Sequence, residues 1–167
     1  VYTEQGEADI FALLIESGVV CMQVLYVRGG RVLGSKAYFL PTTQEHPCDI
    51  MLEFLGVFYW QQERDLPKEI IVNQALPLED VDALQAAFID SYQRKIYIKT
   101  RVREQRAAWL DFAQLNAQEA IKAHIQTKLQ VSARLTALQQ VLQLTQMPQR
   151  IECFDISHLQ GEATVAS

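Results

Sequence analysis

The sequence predicts an α/β fold: a mixed sheet in the order β-β-β-α-β-α-β, followed by a long helix and a truncated strand. Three observations predict it. The chain opens with three β-prone runs, the last two separated by Gly29-Gly30, and a two-residue hairpin turn needs positive φ, which glycine adopts without penalty. After them, apolar residues at helical spacing alternate with short, wholly apolar runs. Finally, Glu104–Met147 contains neither glycine nor proline, which suits one long helix or two helices joined by a kink near Gln130–Ser132.

Taken in order, residues 1–8 are polar and read as a frayed upstream stub. The first strand is Ile10–Ile15, closed by Glu16-Ser17-Gly18. The second is Val19–Val27, dominated by β-branched residues. The third is Arg31–Leu40; neither of its faces is strongly apolar, so it belongs at an edge. A polar connection from Pro41 to Pro47 leads to a helix over Cys48–Gln61, with Ile50, Met51, Phe54, Leu55, Phe58 and Tyr59 on its buried side. Pro67 breaks the chain, and Glu69–Asn73 is a short buried strand in parallel pairing. Leu78–Tyr92 is a helix and Ile96–Lys99 a fifth strand. In the long helix Leu110, Ala113, Ala117, Ile121 and Ile125 form a stripe that Trp109 and Phe112 widen. Pro148 is its stop, and Arg150–Ser157 turns strand-like.

Composition narrows the function. The chain has 167 residues, a net charge of −5 and 49% hydrophobic residues, enough for a core without disulfides or metal. No apolar run reaches the roughly 18 residues of a membrane-spanning helix. Cys21, Cys48 and Cys153 form no C-x-x-C pair, and their odd number suits free thiols in a reducing compartment. The net charge hides a division. Residues 1–92 hold 14 acids against 5 bases, and residues 93–167 hold 6 acids against 10 bases. The average over both halves is therefore a poor guide to partners.

One string carries a resemblance. Arg150-Ile151-Glu152-Cys153-Phe154-Asp155-Ile156-Ser157-His158, then Gly161 and Thr164-Val165-Ala166-Ser167, resembles the opening of the C-terminal endonuclease domain of the UvrC family, the nuclease subunits of the bacterial UvrABC excinuclease. Arg103, Arg106, Leu110, Ala113, Asn116 and Ala117 are similar to that family's pattern in the preceding helix. The family's usual Pro and Gly around the first arginine are Val102 and Glu104 here, so helix entry is expected to differ. The resemblance spans Asp9 to Ser167. It implies a cytoplasmic bacterial protein that acts in nucleotide excision repair with UvrB on damaged DNA. It also implies an iron–sulfur region upstream of this chain. The chain then reads as a middle region plus the first strand of an RNase H-like nuclease: residues 9–103 a domain, 104–147 a connecting helix or helix pair, 150–167 the start of the next domain. Asp155 is, by resemblance, the first carboxylate of a Mg²⁺ or Mn²⁺ site completed by residues beyond Ser167. His158 takes either a structural or a catalytic role. No cofactor is expected within this chain, which on this reading is inert alone. The tail strand is expected to dock on the domain's own sheet or to pair with another molecule.

The element order over Ile10–Thr100 also resembles an RNase H-like fold. Such folds place carboxylates at the end or middle of the first strand and at the end of the fourth. Those places fall near Glu16 and Asn73. Asn73 is a neutral isostere of Asp and lacks the charge that holds a divalent cation, so the domain is expected to be a degenerate, non-catalytic copy. Glu53 on the first helix is a third position to examine. Arg94, Lys95, Lys99, Arg101, Arg103 and Arg106 make a basic stretch; Lys99, Arg101, Arg103 and Arg106 are the candidate DNA or interdomain contacts. Phe58, Tyr59 and Trp60 are an aromatic cluster, either core or a base-stacking platform. Two other functions stand beside the positioning region: an autonomous metal-dependent nuclease using Glu16, Glu53 and Asp155, and an interaction module for UvrB or for a second copy.

Overall fold

Two tight turns generate the first three strands. Ser17 and Gly18 have φ of 52° and 74°, and Gly29 and Gly30 have 58° and 74°. Paired positive φ values give the primed turn whose twist matches that of the flanking strands. The turns join β1 (Ala8–Glu16), β2 (Val19–Arg28) and β3 (Arg31–Leu40) into an antiparallel meander. The computed structural model describes residues 6–61 and 63–154, and the backbone of strands 156–159 and 163–166.

The chain is tied in earlier than its polar start suggests. Gly30 N–H donates to the Gly6 carbonyl at 3.0 Å, and the N–H groups of Lys68 and Glu69 both donate to the Glu7 carbonyl at 3.2 Å. Gly6 has φ of +110°, and a Cβ there would lie 2.7 Å from Gly30 Cα, so only glycine permits this approach. β1 consequently begins two residues before the expected Ile10, at Ala8.

α1 (Pro47–Trp60) starts where His46 caps it, its Nδ1 accepting from Cys48 N–H at 3.3 Å with Pro47 opening the first turn. β4 (Glu69–Val72), α2 (Leu78–Tyr92) and β5 (Tyr97–Lys99) follow. The sheet order is β3-β2-β1-β4-β5, with β4 parallel to both β1 and β5. β3 lies at the edge, as its weak patterning predicts. β4 is short and wholly apolar after Glu69 because both faces of the sheet centre are covered.

The two faces can be read from parity. Phe11 and Leu13 of β1 pack with Ile70, Val72 and the buried sides of α1 and α2. Ala8, Ile10 and Ala12 pack with Ile71, Trp109 and Ala113. The second face is thus covered by the start of α3 (Glu104–Val141), whose buried positions Trp109, Ala113, Ala117 and Ile121 recur every four residues. Alanines on both strand and helix let the two backbones approach. Phe112, expected to widen this stripe, is 46% exposed and lies off it.

α3 runs unbroken from Glu104 to Val141. Its entry keeps a glycine-like backbone without glycine: Glu104 has φ of 53°. Its stop precedes Pro148. Leu144 N–H donates to the Gln139 carbonyl and Gln143 N–H to the Gln140 carbonyl, with Gln143 at φ 54°, a Schellman motif with glutamine in the position glycine usually takes.

Two units separate in the pattern of contacts, Val1–His124 and Ile125–Ser167. In the second, residues 151–154 form no strand; the strands are β6 (Ile156–Leu159) and β7 (Ala163–Ala166). They pair antiparallel with each other in a separate two-stranded sheet.

Candidate functional site

The end of β4 is the first place to look, because the sequence places a degenerate carboxylate there. Asn73 N–H continues the ladder to the Phe11 carbonyl at 3.2 Å. Its side chain then takes over from the backbone. Leu13 N–H donates to Asn73 Oδ1 at 2.8 Å, and Asn73 Nδ2 donates to the Leu13 carbonyl at 2.9 Å. The carboxamide acts as one more peptide group of β4 and extends the β1–β4 pairing past Val72. Only an amide supplies both a donor and an acceptor in that geometry. Asn73→Asp is therefore expected to destabilise the domain by about 1–2 kcal/mol, since a carboxylate oxygen would face the Leu13 carbonyl. Urea unfolding of the variant measures this, and an unchanged midpoint would refute the peptide-mimic role.

Glu16 is not brought to Asn73. It is exposed at the far end of β1, paired with Val19 beside the turn, and lies three residues past Leu13, about 10 Å along the strand. The middle of β1 on the α1 face presents Phe11 and Leu13, which offer no metal ligand. Glu53 is exposed on α1, at the rim of an apolar groove. No group of three His, Cys, Asp or Glu side chains that could hold a metal ion exists among the described residues. Glu16, Glu53 and Asn73 are therefore not brought together as a cation site. Asp155 and the side chain of His158 lie outside the described residues.

Two buried carboxylates that sequence reasoning missed stand at the opposite end of β1 and β4. Asp9 is 1% exposed. Its Oδ1 accepts from Arg28 at 2.8 Å and its Oδ2 from the Tyr59 hydroxyl at 2.6 Å. Arg28 also reaches the Ala8 and Val27 carbonyls and Asp65. Burial pushes the Asp9 carboxyl above its ordinary range, and the hydrogen bonds from Tyr59 and Arg28 draw it only part of the way back. The same burial, with Asp9 alongside, pushes the Tyr59 phenol well up.

Glu69 faces the other side of the sheet and is 7% exposed. Lys99 Nζ donates to its Oε2 at 2.6 Å and Arg106 Nε to its Oε1 at 2.5 Å. Burial pushes Glu69 up, but the hydrogen bonds and charges of Arg106 and Lys99 outweigh it and hold the carboxyl below its ordinary range. β4, β5 and the first turn of α3 are joined through this one side chain. The signal in the sequence was an acid opening an apolar strand, Glu69-Ile70-Ile71-Val72.

The basic stretch thereby divides. Lys99 and Arg106 are held by Glu69 within the first unit. Arg101 and Arg103 are exposed, and neither side chain makes an ion pair or hydrogen bond among the described residues. The aromatic cluster divides too. Phe58 and Tyr59 are core, edge-on to Phe11, while Trp60 is 37% exposed, donating from Nε1 to Ser91 Oγ at 3.0 Å. A third link between α3 and the sheet escaped the sequence reading: Gln23 Nε2 and Asn116 Nδ2 both donate to Ser35 Oγ. No helix among the described residues is long and apolar enough to cross a membrane.

Comparison with known sequences agrees with this arrangement. The family described as UvrC Ribonuclease H-like domain matches residues 7–124, and the one described as UvrC RNAse H endonuclease domain matches residues 139–167. The chain is 48% identical over 170 residues to the UvrABC system protein C of Psychrobacter sp. (strain PRwf-1), covering 100% of this chain and 27% of that protein. It is 42% identical to the protein of the same name from Acinetobacter baumannii (strain SDF), again over 100% of the chain and 27% of the relative. The Pseudomonas aeruginosa (strain LESB58) protein is 45% identical over 97% of the chain and 27% of its own length. The chain thus spans about a quarter of these curated relatives. No solved structure matches it. With a family match over most of its length and a five-stranded mixed sheet in the expected order, the chain belongs to the UvrC RNase H-like domain family.

Proposed function

We propose that this chain is a non-catalytic positioning region of an excinuclease subunit that acts in nucleotide excision repair. The observation that carries this reading is the use made of Asn73. The residue at the expected end-of-strand ligand position bonds both ways to the Leu13 backbone, and no metal-holding cluster surrounds it among the described residues. In a longer protein, the first unit orients the segment after it. Asp155 then stands as the first carboxylate of a Mg²⁺- or Mn²⁺-dependent nuclease site whose other ligands come from elsewhere. UvrB and damaged DNA are the partners of that protein, in the bacterial cytoplasm. The names of the relatives support this reading.

The test is direct. The chain incubated with nicked, intact and ultraviolet-damaged duplex DNA and Mn²⁺ is expected to cut none of them. Metal-dependent cutting abolished by Glu16→Ala would establish the autonomous nuclease in its place.

Direct DNA contact falls to Arg101 and Arg103, the exposed arginines of the stretch, while Glu69 occupies Lys99 and Arg106. Phosphate contacts appear as salt dependence: each neutralised phosphate contributes about 0.9 to the slope of log affinity against log salt. The double variant Arg101→Glu, Arg103→Glu is expected to flatten that slope by about 1.8 for duplex DNA, measured by fluorescence anisotropy. An unchanged slope would assign the two arginines to an interdomain contact.

A further inference from the structure

The corner where β3 meets α1 combines two unpartnered features. β3 ends the strand order, so its outer edge has no ladder among the described residues. Beside the last residues of that strand lies an open groove of about 370 Å³, walled by Leu40, Ile50, Phe54 and Val57, with the exposed carboxylates of Glu45 and Glu53 at its rim. The wall is preformed. Phe54 is stacked on Phe58 at 5.7 Å and set edge-on to Tyr38 at 5.3 Å.

Folded proteins guard free strand edges with lysine, proline or a bulge. β3 has such guards only as far as Lys36. The pairing irregularity lies opposite Tyr26 and Val27, and the charges are Arg31 and Lys36. Ala37–Leu40, the part beside the groove, carries no charge and no proline. No basic residue lines the groove, and Asp49 adds a third acid in the first turn of α1. The surrounding charge is strongly negative, since residues 1–92 hold 14 acids against 5 bases. Phosphate-bearing ligands are repelled from such a place, and cationic ones are drawn to it.

We propose that this corner docks an extended, basic-flanked apolar segment of a partner protein. The segment adds to β3 as a sixth strand. Its backbone satisfies the free edge, an aliphatic side chain enters the groove, and its lysines or arginines meet Glu45 and Glu53. Strand addition of this kind takes affinity from main-chain hydrogen bonds and selectivity from pockets for alternate side chains. The proposal rests on geometry separate from the DNA reading, because the groove is on the face of the sheet opposite α3.

The test uses the 167-residue chain and the blocked peptide KKVTLTVKK, with EEVTLTVEE as its charge-reversed control. Amide shift mapping with the first peptide is expected to perturb β3, residues 41–45 and α1, and to slow exchange of β3 amides. Affinity for the control is expected to be at least tenfold weaker. The exposed-site variants Val57→Glu and Glu53→Lys, checked for an unchanged melting temperature, are each expected to weaken the first peptide about tenfold. Equal binding of both peptides, shifts confined to other surfaces, or indifference to both variants would overturn the proposal. Concentration-dependent sedimentation of the free chain, abolished by Val57→Glu, would also overturn it by making a second copy the occupant.

Discussion

Replacement of Asp9 by alanine is expected to destabilise the domain by about 3–4 kcal/mol, the range for removing one partner from a buried ion pair. Asp9 holds Arg28 on one oxygen and the Tyr59 hydroxyl on the other. Without it, Tyr59 keeps a buried hydroxyl, 1% exposed as a residue, without that acceptor. Arg28 fares better, since the Ala8 and Val27 carbonyls and Asp65 remain within reach. Asp9→Asn is expected to cost about 1 kcal/mol or less, because its carbonyl still accepts from Tyr59 while the desolvated charge is gone. Urea unfolding followed by circular dichroism separates the two variants. Equal losses would show that the charge, not the acceptor, is what matters. The pH dependence has a definite sign. A carboxyl raised in the folded state binds its proton more readily there than in the unfolded chain. Its contribution is fully present below the ordinary value of 3.8 and is lost as pH rises through the raised one. The stability advantage of the native protein over Asp9→Asn should therefore grow as pH falls toward 3.8.

Glu69→Ala is expected to cost about 2–3 kcal/mol, less than a fully buried pair would, because Lys99 and Arg106 are each 39% exposed and can turn to water. The loss should be local as well as global. Glu69 holds the first turn of α3 to β4, and Trp109 packs one turn further on, 8% exposed. In a Trp60→Phe background Trp109 is the remaining indole of the chain's two. Its emission should shift to the red in Glu69→Ala, and α3 amides near it should exchange faster. Unchanged emission would mean that apolar packing alone holds the helix. Here the pH sign is opposite to that of Asp9. Glu69 is lowered in the folded state, so its contribution is present above 4.5 and is lost as pH falls through the lowered value. The advantage over Glu69→Gln should shrink in acid while the advantage over Asp9→Asn grows.

These two acids show where sequence reading stops. Both sit at strand starts among apolar neighbours, where a single sequence shows only an acid beside a strand. Their partners are distant in the chain: Arg28 and Tyr59 for Asp9, Lys99 and Arg106 for Glu69. Pairing at such separations depends on sheet order and on which face each residue takes, and local patterning carries neither. The same limit explains Asn73. Its identity signalled the lack of a metal-binding charge, but not that its amide would stand in for a peptide group of β4. It explains the basic stretch as well, whose clustering was legible while the carboxylate that holds Lys99 and Arg106 was not. The stop of α3 escaped for a local reason. The chain takes a left-handed cap at Gln143, a position where glutamine gives no warning.

By itself, the sequence determined the elements and their order, because hydrophobic periodicity and turn chemistry are local properties. The glycine pair at 29 and 30, the alternating strands and the four-residue stripe of α3 all act between near neighbours. Its motif string also determined the family. The tertiary structure alone decided which charges are internal and which are free. Coulomb attraction and desolvation depend on distance and burial in space. Only the folded sheet brings Glu69 to Lys99 and Arg106, leaves Arg101 and Arg103 in water, and opens an acid-rimmed groove beside an unpaired strand.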